Sequence, residues 1–382
     1  MSRLRCTTAG ESHGPALVGI VEGVPAGLPL STERIDAELA RRQGGYGRGG
    51  RMAIERDRVR VLGGWRRGRT IGAPLALLIE NADATIEELP VPGNARPGHA
   101  DLAGSQKFGE LDTRAVLERA SARETAMRTA IGGAVRQIVE AFGVRVFGYV
   151  VELGGTACAP EALPSPEERE ALRASSDFST LDPSRDAELR ALVDAAKEAG
   201  DTLGGVFEVR ATGLPPGLGS HASGPERLTS RLAAALMSIP AMKGVEFGLG
   251  FESARRRGSE VHDAIDAAPE SEREFGRFRR RTNRAGGLEG GMTTGEELVV
   301  RVAMKPISTL RRGLDTVDFA TGESVRATYQ RSDVTAVPAA SVVGEAVVAF
   351  ELTRAFLDKF GGDSMSQVRA SYEHYVQRLR AL

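Results

Sequence analysis

The sequence predicts an α+β fold, and three observations carry that prediction. Short β-branched runs bounded by Gly or Pro recur along the 382 residues. Segments with apolar residues at helical spacing lie between them. The two kinds do not alternate strictly, as a doubly wound parallel sheet would require. Hydrophobic residues make up 41% and charged residues 26% of the chain, ordinary values for a globular protein. No Pro/Ser-rich linker and no fixed-period repeat interrupts the sequence, so a single domain over 1–382 is expected.

Strands are expected at 16–24, 58–62, 75–80, 144–153, 205–211 and 297–304, the last with partial polar–apolar alternation. Ser31 caps a helix that runs to about Arg42, ahead of Gly44 and Gly45. Ser121-Ala122-Arg123-Glu124 reads as a capping box opening a long helix, with Ile131, Val135, Ile138, Val139 and Phe142 inward. Asp182-Pro183 starts another helix, whose Leu189, Leu192, Val193 and Ala196 share a face and which stops at Gly200. Leu228, Leu232, Leu236 and Ile239 mark a fourth. Residues 340–360 and 364–379 predict two helices hinged at Gly361-Gly362. The Pro-, Glu- and Ser-rich stretch 160–182 is expected as a surface excursion.

A net charge of −1 offers no global attraction to nucleic acid or a membrane surface, so any anion binding must be local. Two cysteines, Cys6 and Cys158, make neither a disulfide framework nor a metal-binding spacing, and they suit a reducing cytoplasm. The first residues are too polar for a signal peptide, and no apolar run approaches the roughly 18 residues of a membrane span. No metal site is expected.

Chemistry concentrates in a few turn-like stretches. Gly10-Glu11-Ser12-His13-Gly14-Pro15, Arg96-Pro97-Gly98-His99-Ala100-Asp101 and Arg331-Ser332-Asp333 each hold a titratable side chain, with Arg or Ser nearby. Histidine suits proton transfer near neutral pH, while Gly and Pro shape a backbone that a ligand can approach. A lone loop histidine is more often only a polar surface residue. The Arg/Gly loop 41–51 concentrates guanidinium groups at Arg41, Arg42, Arg48 and Arg51, suited to phosphate and carboxylate. Its glycines would let it act as a lid. Arg119 and Ser121 at a helix start make an anion site, although Ser121 also serves as a plain cap.

These stretches, together with Arg119-Ala120-Ser121-Ala122-Arg123-Glu124-Thr125, closely resemble the chorismate synthase family over nearly the whole chain. The resemblance implies a β-α-β sandwich, helices packed between two antiparallel sheets, assembled as a homotetramer. It also implies a carbon–oxygen lyase that converts 5-enolpyruvylshikimate 3-phosphate to chorismate and phosphate, the last step of the shikimate pathway. Reduced FMN assists without net redox change, and the flavin must arrive reduced, through an external flavin reductase or NADPH. By the same resemblance His13 protonates the departing phosphate, His99 stabilises the anionic reduced flavin, and Asp333 handles a proton near flavin N5. Ser12, Arg42, Arg48, Arg51 and Arg96 fall to the substrate. Arg119, Ala120, Ser121, Pro240, Ala241, Gly290, Lys305, Pro306, Ile307, Ser308, Thr309 and Arg331 fall to FMN, and Arg42 and Arg48 also to NADPH.

Two other readings compete. A flavin- or NADPH-dependent oxidoreductase would need a phosphate-binding Gly pattern after a strand, with an acidic residue about 20 positions on, and none is present. A non-enzymatic RNA- or anion-binding module would use the Arg/Gly loop, but aromatic residues amount to 5% and are sparse among the basic ones.

Overall fold

A computed structural model describes residues 4–49, 56–270, 275–329 and 332–382. Two antiparallel sheets enclose a layer of helices. The first sheet contains β1 (Arg5–Ala9), β2 (Ala16–Glu22), β3 (Arg60–Gly63) and β4 (Leu75–Glu80), in the order β1-β2-β4-β3. The second contains β5 (Arg145–Leu153), β6 (Thr156–Ala157), β7 (Gly205–Thr212), β8 (Met242–Phe247) and β9 (Leu298–Met304), in the order β8-β9-β7-β5-β6. This is the α+β sandwich that the resemblance implies.

Period-2 alternation turns one face of each sheet inward. On β2 and β4, Leu17, Val21, Leu75, Leu77 and Ile79 are buried while their neighbours are more exposed. In the second sheet the register aligns Val302 with Phe207 and Phe207 with Val150, and it aligns Val300 with Val209. These residues form the inner wall.

The helical layer contains α1 (Thr32–Gln43), α4 (Thr125–Glu140), α7 (Leu228–Met237) and α8 (Val337–Phe360). The others are α2 (Asp101–Phe108), α3 (Arg114–Arg119), α5 (Pro166–Ser175), α6 (Asp186–Glu198) and α9 (Met365–Ala381). Helices α1 and α4 share a core with the first sheet, and α7 and α8 share one with the second. Helix α8 is buried at every position from Val337 to Ala349, including Ser341 and Glu345, because it lies between layers. It meets α4 closely: a Cβ on Gly132 would lie 2.4 Å from the Ala346 carbonyl oxygen.

Several expectations need correction. Ser121 accepts the Arg123 N–H, but it caps a short 3₁₀ turn over Ala122–Glu124, and α4 begins only at Thr125. Glu124 does not return to the cap, because Thr8 (2.7 Å) and Arg128 (3.0 Å) take its carboxylate. Phe142 and Ile239 lie beyond the ends of their helices yet remain in the core. Helix α8 starts at Val337, with Pro338 in its first turn. Strands β1 and β8 carried no apolar run to announce them. Residues 160–182 hold α5, whose Arg169 and Arg173 turn inward, followed by the fully buried Phe178.

Candidate functional site

The β1–β2 loop, the C-terminal end of α1 and the turn before α2 converge with the starts of α4 and α8 and the segments after α7 and β9. They enclose a cavity of about 1050 Å³. The first turns of both α4 and α8 face it, so two helix N-termini add positive potential. Among the described residues the lining carries six cationic side chains (Arg42, Arg48, Arg96, Arg114, Arg123, Lys305) against two carboxylates, Asp83 and Asp333. The lining is thus locally cationic although the chain as a whole is nearly neutral.

His13 sits in the β1–β2 loop, which Asn81 staples by donating to the Glu11 and Gly14 carbonyls at 3.1 and 2.6 Å. Asn81 in turn accepts from Arg123 at 2.8 Å, and Arg123 reaches both oxygens of buried Asp57 at 2.7 Å. Nδ1 of His13 lies 2.6 Å from Glu118 on α3, and Nε2 lies 3.7 Å from Asp83. Burial pushes the Glu118 carboxyl up, but hydrogen bonds from His13 and Arg114 outweigh it and hold it below the usual range.

Arg96 to His99 form a tight turn closed by the His99 N–H on the Arg96 carbonyl, 3.2 Å. Gly98 at φ +78° follows Pro97, the signature of a type II turn. Asp101 accepts from Arg96 Nε at 2.9 Å and contacts His99 Nδ1 at 2.5 Å. Nδ1 therefore carries the proton on this side of the ring, and the nearby Arg96 Nη2 shares the carboxylate rather than bonding the imidazole. Burial raises the Asp101 carboxyl, yet His99 and Arg96 together hold it well below the ordinary carboxylate range.

Asp333 pins the end of the Arg/Gly loop. Its two oxygens accept from Arg48 Nη1 and the Gly49 N–H, both at 2.6 Å. The approach is so close that a Cβ on Gly49 would lie 3.1 Å from the Ser332 carbonyl oxygen. Val334 N–H donates to the Gly47 carbonyl at 2.8 Å, and Tyr46 packs on Phe178 and bonds Asp194. Residues 44–49 are thus held by contacts to Asp333, Val334, Phe178 and Asp194.

Arg42 departs from the expected loop cation. It is 4% exposed, and it donates from Nε to Thr125 Oγ1 (3.0 Å) and from Nη2 to the Ala122 carbonyl (2.8 Å). Its Nη1 is buried without an acceptor among the described residues. Burial, reinforced by repulsion from Arg48 and Arg123 and only partly offset by Asp57, lowers its pKa to about 10. Lys305 is likewise lowered, first by burial and then by Lys243.

The cavity lining brings together Ser12, His13, Arg42, Arg48, Arg96, His99, Ala120, Ser121, Pro240, Ala241, Lys305, Ile307, Ser308, Thr309 and Asp333. Ala241 holds φ +71°, a left-handed conformation that costs a non-glycine residue about 1 kcal/mol or more. Three predicted positions are not on the lining. Arg119 turns to the Gly10 carbonyl (3.0 Å), Pro306 lies between lining residues, and Gly290 occupies a hairpin turn between Leu288–Glu289 and Met292–Thr293. Arg51 and Arg331 lie outside the described residues. Sequence reasoning missed Glu118, Asp101, Asn81, Arg114, Arg123 and Asp57. Only Asp101, two residues after His99, carried a local signal. No cluster of three metal-ligating side chains occurs among the described residues.

Comparison with known proteins agrees with this architecture. The family model for chorismate synthase matches residues 4–357. The chain is 53% identical to the chorismate synthase of Geobacter metallireducens, over 99% of this chain and all of that one. It is 54% identical to that of Rubrobacter xylanophilus, covering 99% and 97%, and 53% identical to that of Thermus thermophilus, covering 99% and 100%. A crystal structure of chorismate synthase superposes with a TM-score of 0.82 at 41% identity, over the whole of both chains. Fold and cavity thus define a lyase acting on an anionic substrate. The chain belongs to the chorismate synthase family, whose reaction forms chorismate from 5-enolpyruvylshikimate 3-phosphate with loss of phosphate.

Proposed function

We propose that the cavity performs this reaction as a 1,4-elimination with reduced FMN beside the substrate. The supporting observation is the surplus of cations and helix N-termini around two histidines, each backed by a carboxylate. A volume of about 1050 Å³ admits a flavin and a small ligand together. The buried Nη1 of Arg42, which among the described residues has no hydrogen-bond acceptor and only a 3.8 Å ion pair with Asp57, and the strained Ala241 are features that a bound anionic cofactor or substrate would explain. When bound, reduced FMN would supply electron density to the allylic system, with no net redox change.

In this reading Arg48 and Arg96, with Ser12, hold the phosphate and carboxylates. Arg51 belongs to the same group by resemblance, and Arg331 to the cofactor group. Ala120, Ser121, Pro240, Ala241, Lys305 and residues 307–309 would form the flavin's berth. His13 gives a proton to the departing phosphate. His99, kept in one tautomer by Asp101, presents Nε2 to the flavin ring. Asp333 is occupied by Arg48 and Gly49, so it takes up a proton only once the substrate draws Arg48 away.

Among the described residues no helix is long and apolar enough to cross a membrane. We place the enzyme in the cytoplasm as a homotetramer, served by an external flavin reductase. Arg42, one of the two positions offered to NADPH, has Nε and Nη2 engaged by Thr125 and Ala122, so only its Nη1 would be left to meet a nucleotide phosphate beside Arg48. The test is FMN binding followed by absorbance, oxidised and dithionite-reduced, with and without substrate. Substrate-dependent tightening and a spectral shift support the reading, and identical affinity and spectra contradict it.

A further inference from the structure

We propose that Glu118 is a positioning residue for His13, fixing which ring nitrogen faces the leaving phosphate. This inference rests on the assignment of His13 as the acid. The side chain of Glu118 is fully buried on α3, and its Oε2 lies 2.6 Å from His13 Nδ1. A buried carboxylate at that distance accepts a proton, so Nδ1 is the protonated nitrogen on that side and Nε2 points into the cavity.

The arrangement is rigid from behind. Glu118 Oε1 accepts from Arg114 Nη1 at 2.9 Å, and Arg114 also donates to the Pro90 carbonyl. The Ser12 N–H donates to the Glu118 carbonyl at 3.2 Å, so helix α3 holds the loop through its backbone as well as through its side chain. On the other face, Ile86 N–H donates to the His13 carbonyl at 3.0 Å. Among the described residues, charged groups facing the imidazole include Glu118 with its partner Arg114 on α3, and Asp83, whose carboxylate lies 3.7 Å from Nε2.

Glu118 at Nδ1 and Asp83 at 3.7 Å from Nε2 place the ring between two carboxylates. As the carbon–oxygen bond breaks, its electron pair stays on the phosphate oxygen and the Nε2 proton moves to that oxygen. The neutral imidazole keeps its Nδ1 proton on Glu118 and regains the other from solvent. A third group that orients a proton-transferring histidine in this way sets its tautomer without itself being protonated.

The experiment uses full-length protein with ¹⁵N-labelled histidine. In the wild type, the His13 nitrogen shifts should report Nδ1 protonated across neutral pH, whether or not flavin and substrate are present. In Glu118→Gln the Nδ1 signature should become mixed. Turnover should fall by roughly tenfold or more with little change in KM, and its alkaline limb should move to lower pH. Arg114→Gln separates positioning from mere support, because it breaks the same ion pair but leaves the whole carboxylate to His13. It should keep the Nδ1 signature and move the alkaline limb upward. Identical nitrogen shifts in wild type and Glu118→Gln would overturn the proposal, as would equal displacement of the limb in both variants. Since the shifts are read without turnover, a wild type that makes no chorismate but shows the Nδ1 signature would overturn the function and spare the positioning.

Discussion

His13 and His99 share a design: a loop imidazole whose Nδ1 meets a buried carboxylate, Glu118 in one case and Asp101 in the other. Replacing either histidine by Ala should lower turnover by roughly 10²–10⁴-fold, the span of a lost acid or base, with circular dichroism unchanged. Near-normal steady-state rates in both would refute the assignment. Arg48→Ala and Arg96→Ala each remove charge-assisted bonds of roughly 1.5–3 kcal/mol, so isothermal titration should show substrate affinity falling more than FMN affinity. Equal losses would refute the division of the arginines. The carboxylates behind the histidines also set an acid limit. Asp101 and Glu118 titrate below their unfolded values of about 4, so they contribute stability above that pH and lose it as pH falls through their folded values. Thermal midpoints should therefore drop with acidification below about pH 4, and less steeply in Asp101→Asn than in the wild type.

At the scale of elements, one buried carboxylate joins five of them. Glu345 on α8 accepts from Arg41 of α1, Arg136 of α4, Arg173 of α5 and the Gly148 N–H of β5. Burial alone would raise its pKa, but the three arginines hold it far below the usual carboxylate range. Glu345→Ala removes the carboxylate that the three arginines share, leaving Arg41 and Arg136 to Glu38 and Glu140, and should cost about 3–5 kcal/mol, measured by urea unfolding. A loss under about 1 kcal/mol would mean that the network relaxes freely. Gly132→Ala tests the α4–α8 crossing differently. Its Cβ meets backbone, which no rotamer change relieves, so about 1–3 kcal/mol should be lost.

For the molecule as a whole, the cavity lies where both sheets' loops meet the start of two helices of the middle layer, so a ligand there braces several elements at once. FMN and substrate should tighten each other by one common factor. Much of this was legible in the sequence. The apolar strands and amphipathic helices announced themselves by period, and the Gly- and Arg-rich stretches named the residues that line the cavity. Strand β1, with its sequence Arg-Cys-Thr-Thr-Ala, did not, because an edge strand with little apolar burial carries no alternation. Glu118 did not either, since nothing local distinguishes a helix carboxylate that faces a loop 105 residues away. Arg42 misled because an Arg beside glycines looks like a loop cation, and only packing shows it turned onto Thr125. The most direct measurement is an anaerobic reaction of purified protein with reduced FMN and 5-enolpyruvylshikimate 3-phosphate, following chorismate, phosphate and flavin oxidation together. Equal amounts of chorismate and phosphate, with the flavin still reduced after many turnovers, are predicted. Flavin oxidised in step with product, or no phosphate released, would contradict the assignment of this cavity to elimination.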